Sequence, residues 1–193
     1  MGAAATVTGI IACRDGAEWE RWLADHHRLE AGVWLKIAKK GSGLASVTNA
    51  EALDVALCYG WINGQRKPLD GDWYLQRYTP RRPRSTWSKV NVEKAEALIA
   101  AGRMREPGMA EIAAAEADGR WEAAYEPARS ATVPPDLAAA LERDEAARRR
   151  YQALGRSDRY LVILRLMTAR TPETRAARLR RMVATLAAGG RVR

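Results

Sequence analysis

The side chains best suited to chemistry and ligand binding are concentrated in residues 58–91. This segment contains three tryptophans, three tyrosines and five arginines, interspersed with amide and hydroxyl groups. Flat rings, guanidinium groups and short polar groups together are typical of a pocket for a polar or anionic ligand. We therefore expect the segment to form a binding site, and its composition leaves the identity of the ligand open.

The first half of this segment, residues 59–65, reads YGWINGQ. Glycine permits positive φ angles and a close approach of the backbone, so the amides of such a turn can contact a ligand. Asn63 and Gln65 are two residues apart and would point to the same side of an extended chain. The alternative is a tight turn between a helix and a strand, with Trp61 in the core.

The second half, residues 76–91, contains five cations and no acidic residue. It leads into a predicted helix for which Asn91 is a suitable N-cap. Arginine forks and the N–H groups of a helix N-terminus both favour anions. We therefore interpret this half as a carboxylate or phosphate site. The alternative is a solvated basic loop that Trp87 anchors to the core.

Together the two halves define the predicted site, whose walls we expect to be Tyr59, Trp61 and Trp87. The residues expected to hold and orient the ligand are Asn63, Gln65, Arg77, Arg81, Arg82, Ser85, Ser88 and Asn91. If the protein is an enzyme, Asp70 and Tyr59 are the central candidates for proton transfer. Asp70 precedes a glycine, so a turn between strands also explains it.

Other candidate sites carry weaker signals. Residues 39–43 read KKGSG, which resembles a phosphate cradle but lacks the Walker spacing, so a plain turn is the simpler interpretation. His26 and His27 are the only histidines, and adjacent residues face different directions on a helix, so we expect no metal site. Cys58 has no histidine nearby in the sequence to activate it, so we interpret it as a small core residue rather than a nucleophile. We expect no cofactor.

Capping signals and apolar periodicity predict an α+β fold, with a small mixed N-terminal part followed by an all-helical C-terminal part. The predicted N-terminal helices cover residues 16–28, 48–59 and 91–101. The predicted strands are residues 32–38 and 73–79, with 61–65 a short strand or an irregular turn. The predicted C-terminal helices cover residues 107–118, 135–142, 144–154, 158–169 and 172–188, with Ser157 and Thr171 as N-caps. A proline-rich linker, PARSATVPP at residues 127–135, suggests domains of residues 1–126 and 127–193.

The formal net charge of +9 is unevenly distributed. Residues 143–193 contain 14 arginines and four acidic residues, whereas the rest of the chain is close to neutral. An acidic partner or nucleic acid bound through these arginines is therefore the alternative to a small-molecule ligand, although solvated helix faces also explain them. The oligomeric state is left open.

Two cysteines do not form a disulfide framework, and a reducing compartment such as the cytoplasm is the simplest location. The N-terminus lacks the basic region of a signal peptide, and no apolar run is long enough to span a membrane.

Several long motifs resemble the YdeI/OmpD-associated family of bacteria, also described as bacteriocin-protection proteins. They include GVWLKIAKK at residues 32–40, EALDVALCYGWINGQRKPLD at 51–70 and TPETRAARLRRMV at 171–183. The resemblance implies a role in protection against bacteriocins, antibiotics or related stress. It also implies that Asn63 replaces an aspartate usual in the family, so this chain would lack any acid–base chemistry that aspartate performs.

Overall fold

A computed structural model describes residues 9–191. Residues 1–8, which include most of the segment considered for a signal peptide, lie outside the described residues. The described chain divides into two compact units. The first unit comprises residues 9–87 and 91–123, and the second comprises residues 88–90 and 124–191.

The elements confirm the α+β class: a four-stranded sheet lies in the N-terminal half, and helices alone form the C-terminal part. The strands are β1 Ile10–Ala12, β2 Val33–Ala38, β3 Trp61–Pro68 and β4 Trp73–Pro80. The helices of the N-terminal half are α1 Gly16–His26, α2 Asn49–Cys58, α3 Lys89–Ala100 and α4 Glu106–Ala117. The remaining helices are α5 Pro135–Arg143, α6 Glu145–Ala153, α7 Arg156–Met167 and α8 Pro172–Ala187. Strand β1 was not predicted.

The sheet has the order β1-β2-β4-β3, in which β1 runs parallel to β2 and the other neighbours are antiparallel. Strand β2 alternates between buried and partly exposed residues, as expected for a sheet with one covered face. On the covered face Val33 pairs with Tyr78. The Tyr78 ring lies 5.5 Å from that of Trp19, so helix α1 packs on this side of the sheet.

Helix α2 begins with the predicted capping box, in which Thr48 and Glu51 each accept a hydrogen bond from the other's backbone N–H. It ends at Cys58, and Gly60, just beyond the C-cap Tyr59, adopts a φ of 71°. A Cβ atom at Gly60 would lie 2.9 Å from the carbonyl oxygen of Pro107, and one at Gly108 would overlap the carbonyl of Cys58. The end of α2 and the start of α4 therefore approach each other at positions where only glycine fits.

The second unit has its own hydrophobic core, which joins α5, α6, α7 and α8. Its buried residues are Leu137, Leu141, Ala147, Tyr151, Leu154, Val162, Ile163, Leu166, Met182 and Leu186. Thr171 caps α8, as predicted, by accepting a hydrogen bond from the N–H of Thr174. Arg175 donates to both carboxylate oxygens of Asp136 and thereby ties α8 to α5.

Two predicted N-caps were wrong. Helix α3 begins at Lys89, so Asn91 lies within its first turn. The reason is a non-local contact: the N–H of Lys89 donates to the carbonyl of Tyr125, which fixes the chain before Asn91 is reached. Ser157 lies inside α7, because Gly155 already has the extended backbone of the N-cap.

No helix in the described part of the chain is both long and apolar enough to cross a lipid bilayer.

Candidate functional site

Trp61, an expected wall of the site, is buried in an aromatic cluster of the first unit. Its ring centroid lies 6.3 Å from that of Trp19 and 6.1 Å from that of Trp22, both in edge-on geometry. Its indole Nε1 donates to the carbonyl of His27 at 2.7 Å. These contacts make Trp61 part of the packing between α1 and the sheet.

Asn63 and Gln65 lie where the pairing of β3 with β4 shifts its register, between Asn63 and Arg66. Asn63 is partly buried opposite Tyr78, and Gln65 is exposed. The shift is stabilised by the buried side chain of Gln76, whose Nε2 donates to the carbonyls of Gly64 and Gln65 at 2.9 and 3.1 Å. Gln76 was not predicted to be a structural or site residue. Its position among the apolar residues of strand β4 was the one sequence signal that it would be buried.

Arg81 forms a buried stack with Trp87, the second expected tryptophan wall. The guanidinium carbon lies 3.4 Å from the centroid of the Trp87 ring. Nη1 donates to the hydroxyl of Ser85 and the carbonyl of Thr86, both at 3.3 Å. Trp121 contacts the same Trp87 ring at 4.8 Å. Trp87 is thus enclosed by protein groups and belongs to a different cluster from Trp61.

A second buried arginine, Arg120, supports the loop that contains Ser85. Its Nε lies 2.7 Å from the carboxylate oxygens of Asp118, and its Nη1 donates to the carbonyl of Ser85 at 3.0 Å. Burial raises the pKa of the nearby Glu111, although the charges of Arg120 and Arg81 act in the opposite direction. Arg120 was not predicted as a partner of this loop, because it is far from residues 76–91 along the chain.

Tyr59, a candidate for proton transfer, is largely buried at the end of α2. Burial raises the pKa of its hydroxyl, and the charge of Glu20 adds to this effect. A raised pKa keeps the phenol protonated near neutral pH, so Tyr59 is not prepared to act as a base.

Asp70, the other proton-transfer candidate, is exposed in the turn between β3 and β4. One of its carboxylate oxygens accepts hydrogen bonds from the N–H groups of Asp72 and Trp73, each at 2.9 Å. This is the usual way in which aspartate stabilises a turn.

The remaining predicted ligand residues are Arg77, Arg82, Ser88 and Asn91. Arg77 donates to the carbonyl of Ala31. Arg82 is exposed in the loop after β4. Ser88 pairs with Tyr125 in an isolated bridge of the second unit, and Asn91 lies within α3.

A cleft of about 980 Å³ lies in the first unit. Its lining comes from the end of β2 and the loop that follows it, the start of α2, the end of β3 and the start of β4. Its cations are Lys39, Lys40, Arg66 and Lys67. None of the described residues that line it is acidic. The KKGSG loop, a weak signal in the sequence, forms one rim.

Arg66 is the most precisely held cation of the cleft. Its guanidinium carbon lies 4.3 Å from the centroid of the Tyr74 ring. Its Nε donates to Gln76 at 3.2 Å, and its Nη2 donates to Asn49, the first residue of α2, at 3.1 Å. Lys39 donates to the carbonyls of Asp70 and Gly71 and so fixes the loop to the hairpin.

Cations and tryptophans also alternate on the sheet face opposite α1, which we call the cationic sheet face and define by Trp34, Lys36, Lys67, Trp73 and Arg77. Lys67 Nζ lies 4.2 Å from the Trp34 ring centroid, and the Arg77 guanidinium lies 5.6 Å from it. Lys36 Nζ lies 4.2 Å from the Trp73 ring centroid. This face could not be predicted from a short stretch of sequence, because its residues come from three strands.

Metal and thiol chemistry have little support in the described residues. No group of three His, Cys, Asp or Glu side chains within residues 9–191 is arranged to hold a metal ion. Cys13 and Cys58 are free and buried. Burial raises the pKa of Cys13 to about 11 and also raises that of Cys58, so both thiols stay protonated near neutral pH.

Comparisons with known proteins identify two family regions. Residues 11–111 match the model of a domain of unknown function, DUF8412, and residues 130–189 match the family described as "Bacteriocin-protection, YdeI or OmpD-Associated". No curated protein and no solved structure showed significant similarity to the chain. The motifs at residues 32–40 and 51–70 therefore fall in the first match, and the motif at 171–183 falls in the second. Because the first match covers more than half of the chain, the chain belongs to the DUF8412 family, and its C-terminal helices α5 to α8 lie within the region similar to the YdeI/OmpD-associated family.

Proposed function

We propose that the protein binds a small anionic ligand in the cleft between the KKGSG loop and the β3–β4 hairpin. The observation that carries this proposal is the charge of the lining, where four cations stand without an acidic residue among the described lining residues. A volume of about 980 Å³ is suited to a metabolite or an antibiotic. This keeps the ligand class expected from the sequence and moves the site away from Trp61 and Trp87.

Arg66 is the principal anion ligand in this proposal. Tyr74, Gln76 and Asn49 hold its guanidinium in one orientation before any ligand arrives. Its Nη1 group makes no hydrogen bond to a described residue and remains available as a donor. A guanidinium that is already oriented loses less conformational entropy when it binds a carboxylate or phosphate.

Lys40 and the start of α2 supplement Arg66. Lys40 is exposed on the rim and forms no ion pair with a described residue. Thr48 and Asn49, at the start of α2, contribute polar groups to the lining. The ring of Tyr74 provides a flat apolar wall, which suits a ligand with an aromatic part.

Binding, rather than catalysis, is the activity that this lining supports. It contains hydroxyls, lysines, an arginine and a tyrosine, and none of its described residues is an Asp, Glu, His or Cys. A general acid or base would therefore have to be a lysine, a tyrosine or a group of the ligand itself. The family description of bacteriocin protection makes antibiotics a suitable part of a ligand panel. The two buried free thiols agree with a reducing compartment, and we infer a cytoplasmic location.

A thermal-shift screen tests the proposal. We expect carboxylates, phosphate esters or anionic antibiotics to raise the melting temperature of the wild type, and their neutral analogues to have no effect. Arg66→Gln and Lys40→Gln should reduce the shift, whereas Arg28→Gln, an exposed arginine outside the cleft, should preserve it.

The same screen distinguishes the cleft from the site predicted in residues 58–91. Loss of the shift in Arg82→Gln, with an unchanged shift in Arg66→Gln, would place the ligand at the site predicted from the sequence, because Arg82 lies outside both the cleft and the cationic sheet face. Anions that stabilise none of these proteins would refute both placements.

A second candidate function is the binding of single-stranded nucleic acid, and the cationic sheet face favours it. Single strands are typically bound by aromatic rings and cations on an exposed sheet. The C-terminal arginines are the surface proposed for this role from the sequence. Some of them instead make contacts within the protein: Arg175 pairs with Asp136, and Arg178 donates to the carbonyl of Arg165.

Fluorescence anisotropy with a labelled oligonucleotide tests both surfaces. Lys36→Gln should weaken binding if the sheet face is used, and Arg181→Gln should weaken it if the C-terminal arginines are used.

A further inference from the structure

The cations that line the cleft differ in whether their charged groups are available to a ligand. Nζ of Lys39 donates to two backbone carbonyls of the turn between β3 and β4, at 2.8 and 2.9 Å. Nζ of Lys67 lies 4.2 Å from the ring centroid of Trp34, a residue outside the lining. Direct contact with an anion is therefore left to Arg66 and Lys40, and two cations match the charge of a single carboxylate or phosphate.

The glycine-rich loop between β2 and α2 uses several of its backbone amides within the protein. The N–H of Ser42 donates to the carbonyl of Lys39 at 3.1 Å, and the N–H of Leu44 donates to the hydroxyl of Ser42 at 3.4 Å. The N–H of Val47 donates to the carbonyl of Cys13 at 3.0 Å. A loop that cradles a chain of phosphates instead presents a series of N–H groups to them. This loop thus favours a ligand with one anionic group over a polyphosphate.

Accessible apolar groups also line the cleft. Leu44 is 45% exposed at the rim. It shares the lining with Pro68, which is exposed, and with the partly exposed ring of Tyr74. A single exposed leucine is common on protein surfaces, whereas three accessible apolar groups around one cavity indicate a surface that a ligand covers. An apolar part of the ligand would remove this surface from water.

From these contacts we propose that the ligand of the cleft is a small organic molecule with one anionic group and an apolar body. Arg66 and Lys40 bind its carboxylate or phosphate, and Leu44 covers the body against Pro68 and Tyr74. This inference rests on the proposed anion site and specifies which anions occupy it. Leu44 becomes the residue that discriminates between ligands with the same charged group.

Isothermal titration calorimetry of the full-length protein tests this ligand class with naphthoate, naphthyl phosphate, acetate and tripolyphosphate. The second unit is rich in arginine, so only binding that Arg66→Gln weakens is assigned to the cleft. Of this binding, we expect at least one naphthyl anion to exceed both acetate and tripolyphosphate in affinity by about tenfold. This is the usual gain from burying an apolar group of that size.

Leu44→Ser separates the apolar contact from the charged one. It should weaken the binding of the naphthyl anions about tenfold, because it removes the apolar side chain and leaves the cations in place. Leu161→Ser is the matched control, since Leu161 is 42% exposed and belongs to α7 in the second unit. This control should bind the naphthyl anions like the wild type.

The outcomes distinguish the ligand class from the anion site on which it rests. Full affinity of Leu44→Ser for the naphthyl anions, or tightest binding of tripolyphosphate in the cleft, would overturn the ligand class and leave the anion site standing. If Arg66→Gln weakens the binding of none of the four anions, both the ligand class and the proposed function are refuted.

Discussion

Arg81 packs against Trp87 as a core side chain would. Its guanidinium carbon lies 3.4 Å from the centroid of the Trp87 ring, and the residue is only 5% exposed. Residues 77–84 contain four arginines, and an arginine in such a basic segment would ordinarily be expected to face solvent or a ligand. Here the backbone N–H of Arg81 also donates to the carbonyl of Gly60. Arg81 therefore joins the two halves of residues 58–91 by packing.

Replacement of Arg81 should destabilise the protein. Arg81→Ala removes the stack on Trp87 and the hydrogen bonds to Ser85 and Thr86. We expect the free energy of unfolding to fall by about 2–4 kcal/mol, measured by urea denaturation. Arg82→Ala, at the exposed neighbour, should change it by less than about 0.5 kcal/mol. Equal stability of the two variants would show that the stack contributes nothing.

Gly108 should tolerate no side chain. A Cβ atom there would overlap the carbonyl of Cys58 and the sulfur of Met104. Gly108→Ala should therefore separate α4 from α2 and lower the free energy of unfolding by about 1–3 kcal/mol or more. Gly71→Ala is the matched control, because nothing lies within 4 Å of a Cβ atom at that position. A Gly108→Ala protein with the wild-type denaturation midpoint would contradict the observed helix contact.

Local signals predicted most of the helices, since capping boxes and prolines act within one turn of the residues they affect. Thr48 with Glu51, and Thr171 before Pro172, are cases in which the deciding atoms are close in sequence. Asn91 failed as a predicted cap because a hydrogen bond from Lys89 to Tyr125 decides where α3 begins. Such a contact has no signature in a short window of sequence.

The location of the cleft could not be predicted from local sequence signals. Lys40, Arg66 and Tyr74 belong to three separate segments, and the strand pairing brings them together. Arg66 was counted in the Trp- and Arg-rich segment, but nothing in the sequence indicated that Asn49 and Gln76 would orient it. Composition predicted an anion site within residues 58–91, whereas the register of the hairpin determines where the cations that line the cleft are located.

Stability of the second unit should depend on pH through the pair of Asp136 and Arg175. The hydrogen bonds from Arg175 hold the pKa of Asp136 below its usual value. A carboxyl group whose pKa is lower in the folded state stabilises that state above its unfolded pKa. This contribution is lost as the pH falls through the folded pKa.

We therefore expect Asp136→Asn to lower the melting temperature at pH 7 and the difference from the wild type to shrink as the pH falls below about 4. Both side chains are about one-third exposed, so the effect at pH 7 should be modest, on the order of 1 kcal/mol. A difference that stays constant from pH 7 to pH 2 would contradict the role of this charge.

The cationic sheet face should be detectable without any ligand, through the quenching of tryptophan fluorescence by ions. Trp34 and Trp73 are partly exposed beside Lys36, Lys67 and Arg77, whereas Trp19, Trp61 and Trp87 are buried. Cations concentrate iodide and repel caesium near the exposed rings. We expect iodide to quench more strongly than caesium at low ionic strength, and the difference to decrease at high salt because the field is screened.

The variant pair Lys36→Gln and Lys67→Gln identifies the rings responsible. Combined in one protein, these substitutions should reduce quenching by iodide and leave quenching by the neutral molecule acrylamide close to that of the wild type. Arg148→Gln with Arg180→Gln removes two exposed charges from the second unit, which contains no tryptophan, and serves as the control of equal charge. If the control lowers iodide quenching as much as the sheet variant does, the net charge of the protein is responsible, and the local arrangement of lysines over Trp34 and Trp73 is not.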